Sequence, residues 1–160
     1  MDPLITNTPN STSGLWYSED FIYTNVVKYL KENGYKIQKE IPVKEGKSER
    51  IIIATKFFKR EIIEVKGFPY YESNETTHLP VKASQHAKSW FSDALIDSFY
   101  NFGAFENAEV AMAFPNIGRY QAIVEKLHEY FTINDLYFRI YLVNENGSID
   151  VSNLNEKYIN

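Results

Sequence analysis

The run Arg60-Glu61-Ile62-Ile63-Glu64-Val65-Lys66-Gly67 constrains the fold more than any other stretch of the chain. As a β-strand its side chains alternate between two faces, so Glu64 and Lys66 share one face and Val65 takes the other. Ile62, Ile63 and Val65 make both faces apolar, the pattern of a strand covered above and below rather than one at a sheet edge. Such a strand needs a neighbour on each side and a covering layer on each face. A carboxylate and an ammonium placed on it are costly to keep without partners or a task.

The rest of the chain supplies those neighbours. Ser18 caps a first helix that opens with Glu19 and Asp20, buries Phe21, Ile22, Val26, Tyr29 and Leu30, and stops at Asn33-Gly34. Tyr35 to Val43 alternates as a strand and ends in the turn Lys44-Glu45-Gly46-Lys47. Arg50 to Phe58 is β-branched and aromatic, suiting an inner strand, with Lys59-Arg60 as the expected turn into the Glu64/Lys66 strand. These connections are short enough to imply an antiparallel meander. A second helix is expected from about Ser84 to Phe102, with Trp90, Phe91, Ala94, Leu95 and Phe99 in its core stripe. A buried strand over Ala108 to Pro115, a third helix over Ile117 to Phe131 and a last strand over Tyr137 to Val143 follow.

The order α-β-β-β-α-β-α-β predicts a central mixed sheet flanked by helices, of the α/β (α+β) class. Residues 15–150 make one domain. Residues 1–14, rich in Asn, Ser, Thr and Pro, are expected to be a disordered or loosely docked arm, and 151–160 a polar tail.

The chain has no cysteine, which excludes thiolate metal ligands, cysteine nucleophiles and disulfides. No apolar run approaches the length of a membrane span, and the N-terminal residues lack a signal pattern. A cytoplasmic location and no membrane partner are therefore expected. Net charge is −4, yet Lys36 to Lys66 carries nine Lys/Arg against five Glu, a local excess of +4. Any contact with nucleic acid is expected from this meander, through Lys44, Lys47, Lys56, Lys59 and Arg60, and to be weak. Tyr70-Tyr71, downstream of the strand, are equally suited to stacking on a base or to packing in a loop. His78, His86 and His128 have no metal-ligand spacing, and no hydrolase triad, Walker motif or dinucleotide fingerprint is present.

Glu64-Val65-Lys66-Gly67 resembles the Glu-x-Lys core of the PD-(D/E)xK, restriction-endonuclease-like superfamily. Gln85-His86-Ala87-Lys88-Ser89-Trp90-Phe91 at the second helix, Val110-Ala111-Met112-Ala113-Phe114-Pro115, and Tyr141 to Ile149 add to the likeness, in the family's order. The resemblance spans about Trp16 to Ile149. It implies a restriction-endonuclease-like core and a divalent-metal-dependent deoxyribonuclease site, with Mg2+ or Mn2+ held by Glu64 and the Val65 carbonyl. Lys66 would align or activate water, and Gln85, or next His86, would position the phosphodiester. The chain departs from the family at the metal site. The aspartate expected about a dozen residues before the acid falls on Ile52, and no aspartate lies between Asp20 and Asp93. Glu49, Glu40, Glu19 and Asp20 are the candidate replacements, and no spacing rule selects one. Two functions stay open: a nuclease with a weak or defective metal site, and a catalytically inactive module on the same fold that binds nucleic acid or a protein partner. A homodimer is also open.

Overall fold

The computed structural model describes residues 16–38, 50–68, 81–104 and 108–154, without the side chains of residues 50, 81–85 and 101–104. Within them the order is α1 (Glu19–Glu32), β1 (Lys36–Gln38), β2 (Arg50–Lys56), β3 (Lys59–Val65), α2 (Val81–Ala104), β4 (Ala108–Pro115), α3 (Gly118–Ile133), β5 (Arg139–Val143) and β6 (Ile149–Asn153). The strands form one six-stranded sheet in sequential order. The pairs β1–β2, β2–β3 and β5–β6 are antiparallel, and β3–β4 and β4–β5 are parallel. The mixed α/β class expected from the sequence is what the chain adopts.

Local chemistry accounts for the elements. The Ser18 hydroxyl accepts a hydrogen bond from the Phe21 amide at 3.2 Å, and Glu19 and Asp20 sit in the first turn of α1. After Asn33 the chain turns at Gly34, whose φ of +82° suits glycine. α1 covers one face of the sheet, packing Ile22, Val26 and Leu30 on Ile52, Ala54, Ile63, Val65, Ala111, Ala113, Tyr141 and Val143. The opposite face carries α2 and α3, with Phe91 stacked on Phe114 at 4.9 Å between ring centroids and Tyr120 packed against both. No helix among the described residues is long and apolar enough to cross a membrane.

Three expectations change. The β2–β3 turn is Phe57-Phe58, with Lys56 opposite Lys59, so Lys59 and Arg60 open β3 instead of forming the turn. Phe57 and Phe58 are 87% and 102% exposed rather than packed in an inner strand. The last strand is β6: residues 149–153 pair with β5, and Leu154 is buried in the α2/α3 core, so structure continues past 150. Phe99 is half exposed, with an edge contact to the core ring of Phe138. Of the first meander strand only residues 35–38 lie in the described residues, with Lys36–Gln38 forming β1. The 1–14 arm, Tyr70, Tyr71 and His78 lie outside them.

Candidate active site at the end of β3

Glu64 and Lys66 lie at the C-terminal end of β3, an interior strand paired with β2 on one side and β4 on the other. Alternation turns both side chains to the face covered by α2, while Ile63 and Val65 face α1. The Lys66 ammonium is 3.3 Å from Glu64 Oε1, with the two side chains 15% and 1% exposed. A buried pair of this kind is held by mutual attraction against a large desolvation cost, so removing either partner is expected to be destabilising. The backbone is pinned as well. The Lys66 amide donates to the Ala113 carbonyl at 3.0 Å and the Phe68 amide to the Tyr17 carbonyl at 2.9 Å. The Tyr120 hydroxyl donates to the Gly67 carbonyl at 2.9 Å, and burial, then Glu19, raises that phenol's pKa well above its ordinary value.

The strand partners of Glu64 are apolar. Across the antiparallel pair sits Ile51, and across the parallel pair Met112. Ile62 and Ile53 continue the same face. The register corrects the sequence count: Ile52 pairs with Ile63 and belongs to the α1 cluster, on the face opposite Glu64. A carboxylate at 52 could not share a cation with Glu64. The position facing it is 51, because counting residues along a chain does not carry the strand register that the Phe57-Phe58 turn sets.

The other candidates are distributed as follows. The Gln85 side chain, Glu40, Glu49, Lys44 and Lys47 lie outside the described residues. His86 is exposed on α2. Glu19 and Asp20 open α1; Glu19 lies against Gly67, three residues after Glu64 at the same end of β3, and its charge reaches Tyr120 on the α2/α3 side of the sheet. Lys56, Lys59 and Arg60 sit at the other end of the sheet, Lys59 five residues before Glu64 and hence about 16 Å along the strand. Lys59 is paired with Glu109 at 3.5 Å. Among the described residues no group of three or more His, Asp or Glu could hold a metal ion. Magnesium takes six hard oxygen ligands. The Glu64 carboxylate, with an ammonium at 3.3 Å and isoleucine opposite, does not fit a magnesium site by itself.

A second polar centre escaped the sequence reading. Glu61, 3% exposed and on the α1 face, accepts hydrogen bonds from Tyr141 Oη at 2.8 Å and Arg139 Nη1 at 3.0 Å. Arg139 also donates to Tyr35 Oη at 3.3 Å, to Asn153 Oδ1 at 3.2 Å, and to the Tyr137 hydroxyl. Burial pushes the Glu61 carboxyl up, an effect opposed by Arg139 and the Tyr141 hydroxyl. Burial also works against the Arg139 charge, and Glu61 together with Tyr141 and Tyr137 more than offsets it. In front of this network opens a pocket of about 210 Å³, lined by Tyr29, Tyr35, Lys56, Arg139 and Asn153 among others. The partners are 78 and 80 residues apart in the chain. The only signal available beforehand was a charged residue inside each of two apolar strands.

Comparison with known proteins finds no matching family model, no matching curated protein and no matching solved structure.

Proposed function

We propose that this protein is a nuclease-like domain of the PD-(D/E)xK type with an incomplete metal site, which binds DNA weakly and hydrolyses it poorly or not at all. The observation that carries the reading is the Glu64–Lys66 pair, 3.3 Å apart on one face at the C-terminal end of an interior strand. In open α/β sheets, ligands are bound beyond the carboxyl ends of the strands, which is where this pair lies. A lysine there can hold a phosphate oxygen and an adjacent carboxylate can orient water, so an acid and a cation suited to phosphodiester chemistry are both retained. The described ligands do not complete a magnesium shell, and no metal-dependent step is assigned to them.

The surroundings of Glu64 favour a second reading. Ile51 and Met112 flank the carboxylate in the sheet, as suits a structural ion pair in a binding module without catalysis. In both readings the nucleic-acid contact is assigned to the basic meander, through Lys56, Lys59 and Arg60 and through Lys44 and Lys47, which lie outside the described residues. Fluorescence anisotropy with labelled DNA at low salt tests this contact. The expectation is micromolar or weaker binding with a log–log salt slope near −0.9 per phosphate neutralised on duplex, weakened by reversing Lys59 and Arg60 to glutamate. Undetectable binding, or binding indifferent to that reversal, refutes it.

A further inference from the structure

The Phe57-Phe58 turn breaks three local rules at once. Two large aromatic rings stand almost wholly in solvent. Phe57 takes a φ of +55° at the first position of a two-residue hairpin loop, where glycine, asparagine or aspartate is the usual occupant. Lys56 and Lys59 face each other directly across the strands, a like-charge pair in which Glu109 offsets Lys59 alone. Conflicts of this kind concentrate where function holds them in place. A polyanion carrying stacking faces would relieve two of the three: phosphate would offset the lysine charge, and bases would cover the rings.

The adjoining surface extends the same chemistry inward. The Lys56 ammonium makes no ion pair among the described residues. It lies 5.9 Å from the centre of the Phe57 ring and 5.4 Å from that of Tyr35. Lys56 and Tyr35 in turn line the pocket in front of Arg139, together with Tyr29, Asn33, Tyr141 and Asn153. Aromatic faces, cations and side-chain amides therefore run without a break from the hairpin tip into a polar recess. Proteins that bind unpaired strands combine stacking rings with cations along the phosphate path. An anionic bilayer would suit the tip alone and leaves the polar recess unexplained.

We infer that this end of the molecule binds single-stranded nucleic acid, with bases stacked on Phe57 and Phe58 and the strand led past Lys56 toward the Tyr35/Arg139 pocket. The inference rests on the proposed nucleic-acid binding and adds to it the strand state and the stacking residues. The test is fluorescence anisotropy with a labelled single strand and the duplex of the same sequence, on wild type and the Phe57→Gly/Phe58→Ser double variant. Glycine relieves the positive φ, so the variant should melt no lower than wild type, and circular dichroism checks that. The expected result is preference for the single strand, reduced at least about tenfold in the variant, with an unchanged salt slope because the lysines remain. If wild type binds neither form, the nucleic-acid reading itself fails. If wild type binds the duplex as tightly as the single strand, or the variant keeps its single-strand affinity, stacking is overturned while nucleic-acid binding stands. Loss in the variant of binding to phosphatidylglycerol/phosphatidylcholine vesicles, with single-strand affinity intact, overturns it in favour of a membrane contact.

Discussion

Two neighbouring isoleucines of β2 should respond in opposite ways to the same substitution. Ile52 is 1% exposed and packed with Ile22, Val26, Leu30 and Ile63 under α1. Ile52→Asp deletes a full core side chain, worth about 2–5 kcal/mol, and puts a carboxyl where nothing polar awaits it, about 1–3 kcal/mol more. The total is a large share of a typical stability of about 5–15 kcal/mol, so the variant should be largely unfolded or deeply destabilised. Ile51 is only half-buried and sits directly across from Glu64. Ile51→Asp should cost about 1–3 kcal/mol without metal, from lost packing and from two carboxylates whose Cβ atoms lie about 5 Å apart. The same spacing lets both ligate one cation. At a Mn2+ concentration one hundred times the dissociation constant, binding to the native state returns about 2.7 kcal/mol, or about 5–10 °C in Tm for a chain of this size. Thermal melts with EDTA and with Mn2+ read this directly. Ile51→Asp should gain several degrees on adding the metal, Ile52→Asp none, and Ile51→Asp/Glu64→Gln should lose the gain. A metal response at 52 rather than 51, or none at 51 in a folded variant, would refute the face assignment.

Two further outcomes follow from the packing. Tyr120 and Tyr141 are buried phenols whose pKa values burial raises, helped by Glu19 and Glu61 respectively; the folded state therefore keeps their protons while the unfolded chain loses them near pH 10. The stability they contribute is complete below pH 10 and is lost as pH rises above it, so alkaline absorbance titration at 295 nm should show both ionising only with unfolding, and Tyr141→Phe should flatten the alkaline decline in Tm. A Cβ at Gly67 would lie 2.8 Å from the Tyr17 carbonyl oxygen and 3.0 Å from the Glu19 amide nitrogen, backbone atoms that can yield only by moving the start of α1. Gly67→Ala should cost about 1–3 kcal/mol in urea unfolding, and an unchanged midpoint would show that this contact is loose.

The class of the fold was legible because periodicity reports burial. Ile62, Ile63 and Val65 announce a strand covered on both faces, and Ala108 to Pro115 is a strand over the whole of the stretch expected. Register and turn chemistry were not legible. Phe57-Phe58 reads as strand by propensity, since aromatic residues favour strands, whereas the chain uses them as a turn. The face of a β2 residue depends on where that turn falls, so the count back to Ile52 landed one residue away, on the wrong side of the sheet. The Glu61–Arg139–Tyr141 network joins strands β3 and β5, which are not even adjacent. Only the three-dimensional order of the sheet brings those side chains together. For the candidate site, the sequence placed Glu64 and Lys66 together on one face, and the 3.3 Å pair agrees. It could not reveal that Ile51 and Met112 would be the neighbours of the carboxylate.

The most direct measurement is cleavage of supercoiled and linear DNA by wild type with Mg2+ and with Mn2+, beside Glu64→Ala and Lys66→Ala. An incomplete metal site predicts trace hydrolysis or none from wild type, no better than the two variants with Mg2+. Robust wild-type cleavage abolished by Glu64→Ala would mean that another carboxylate completes the metal shell, and would contradict the account.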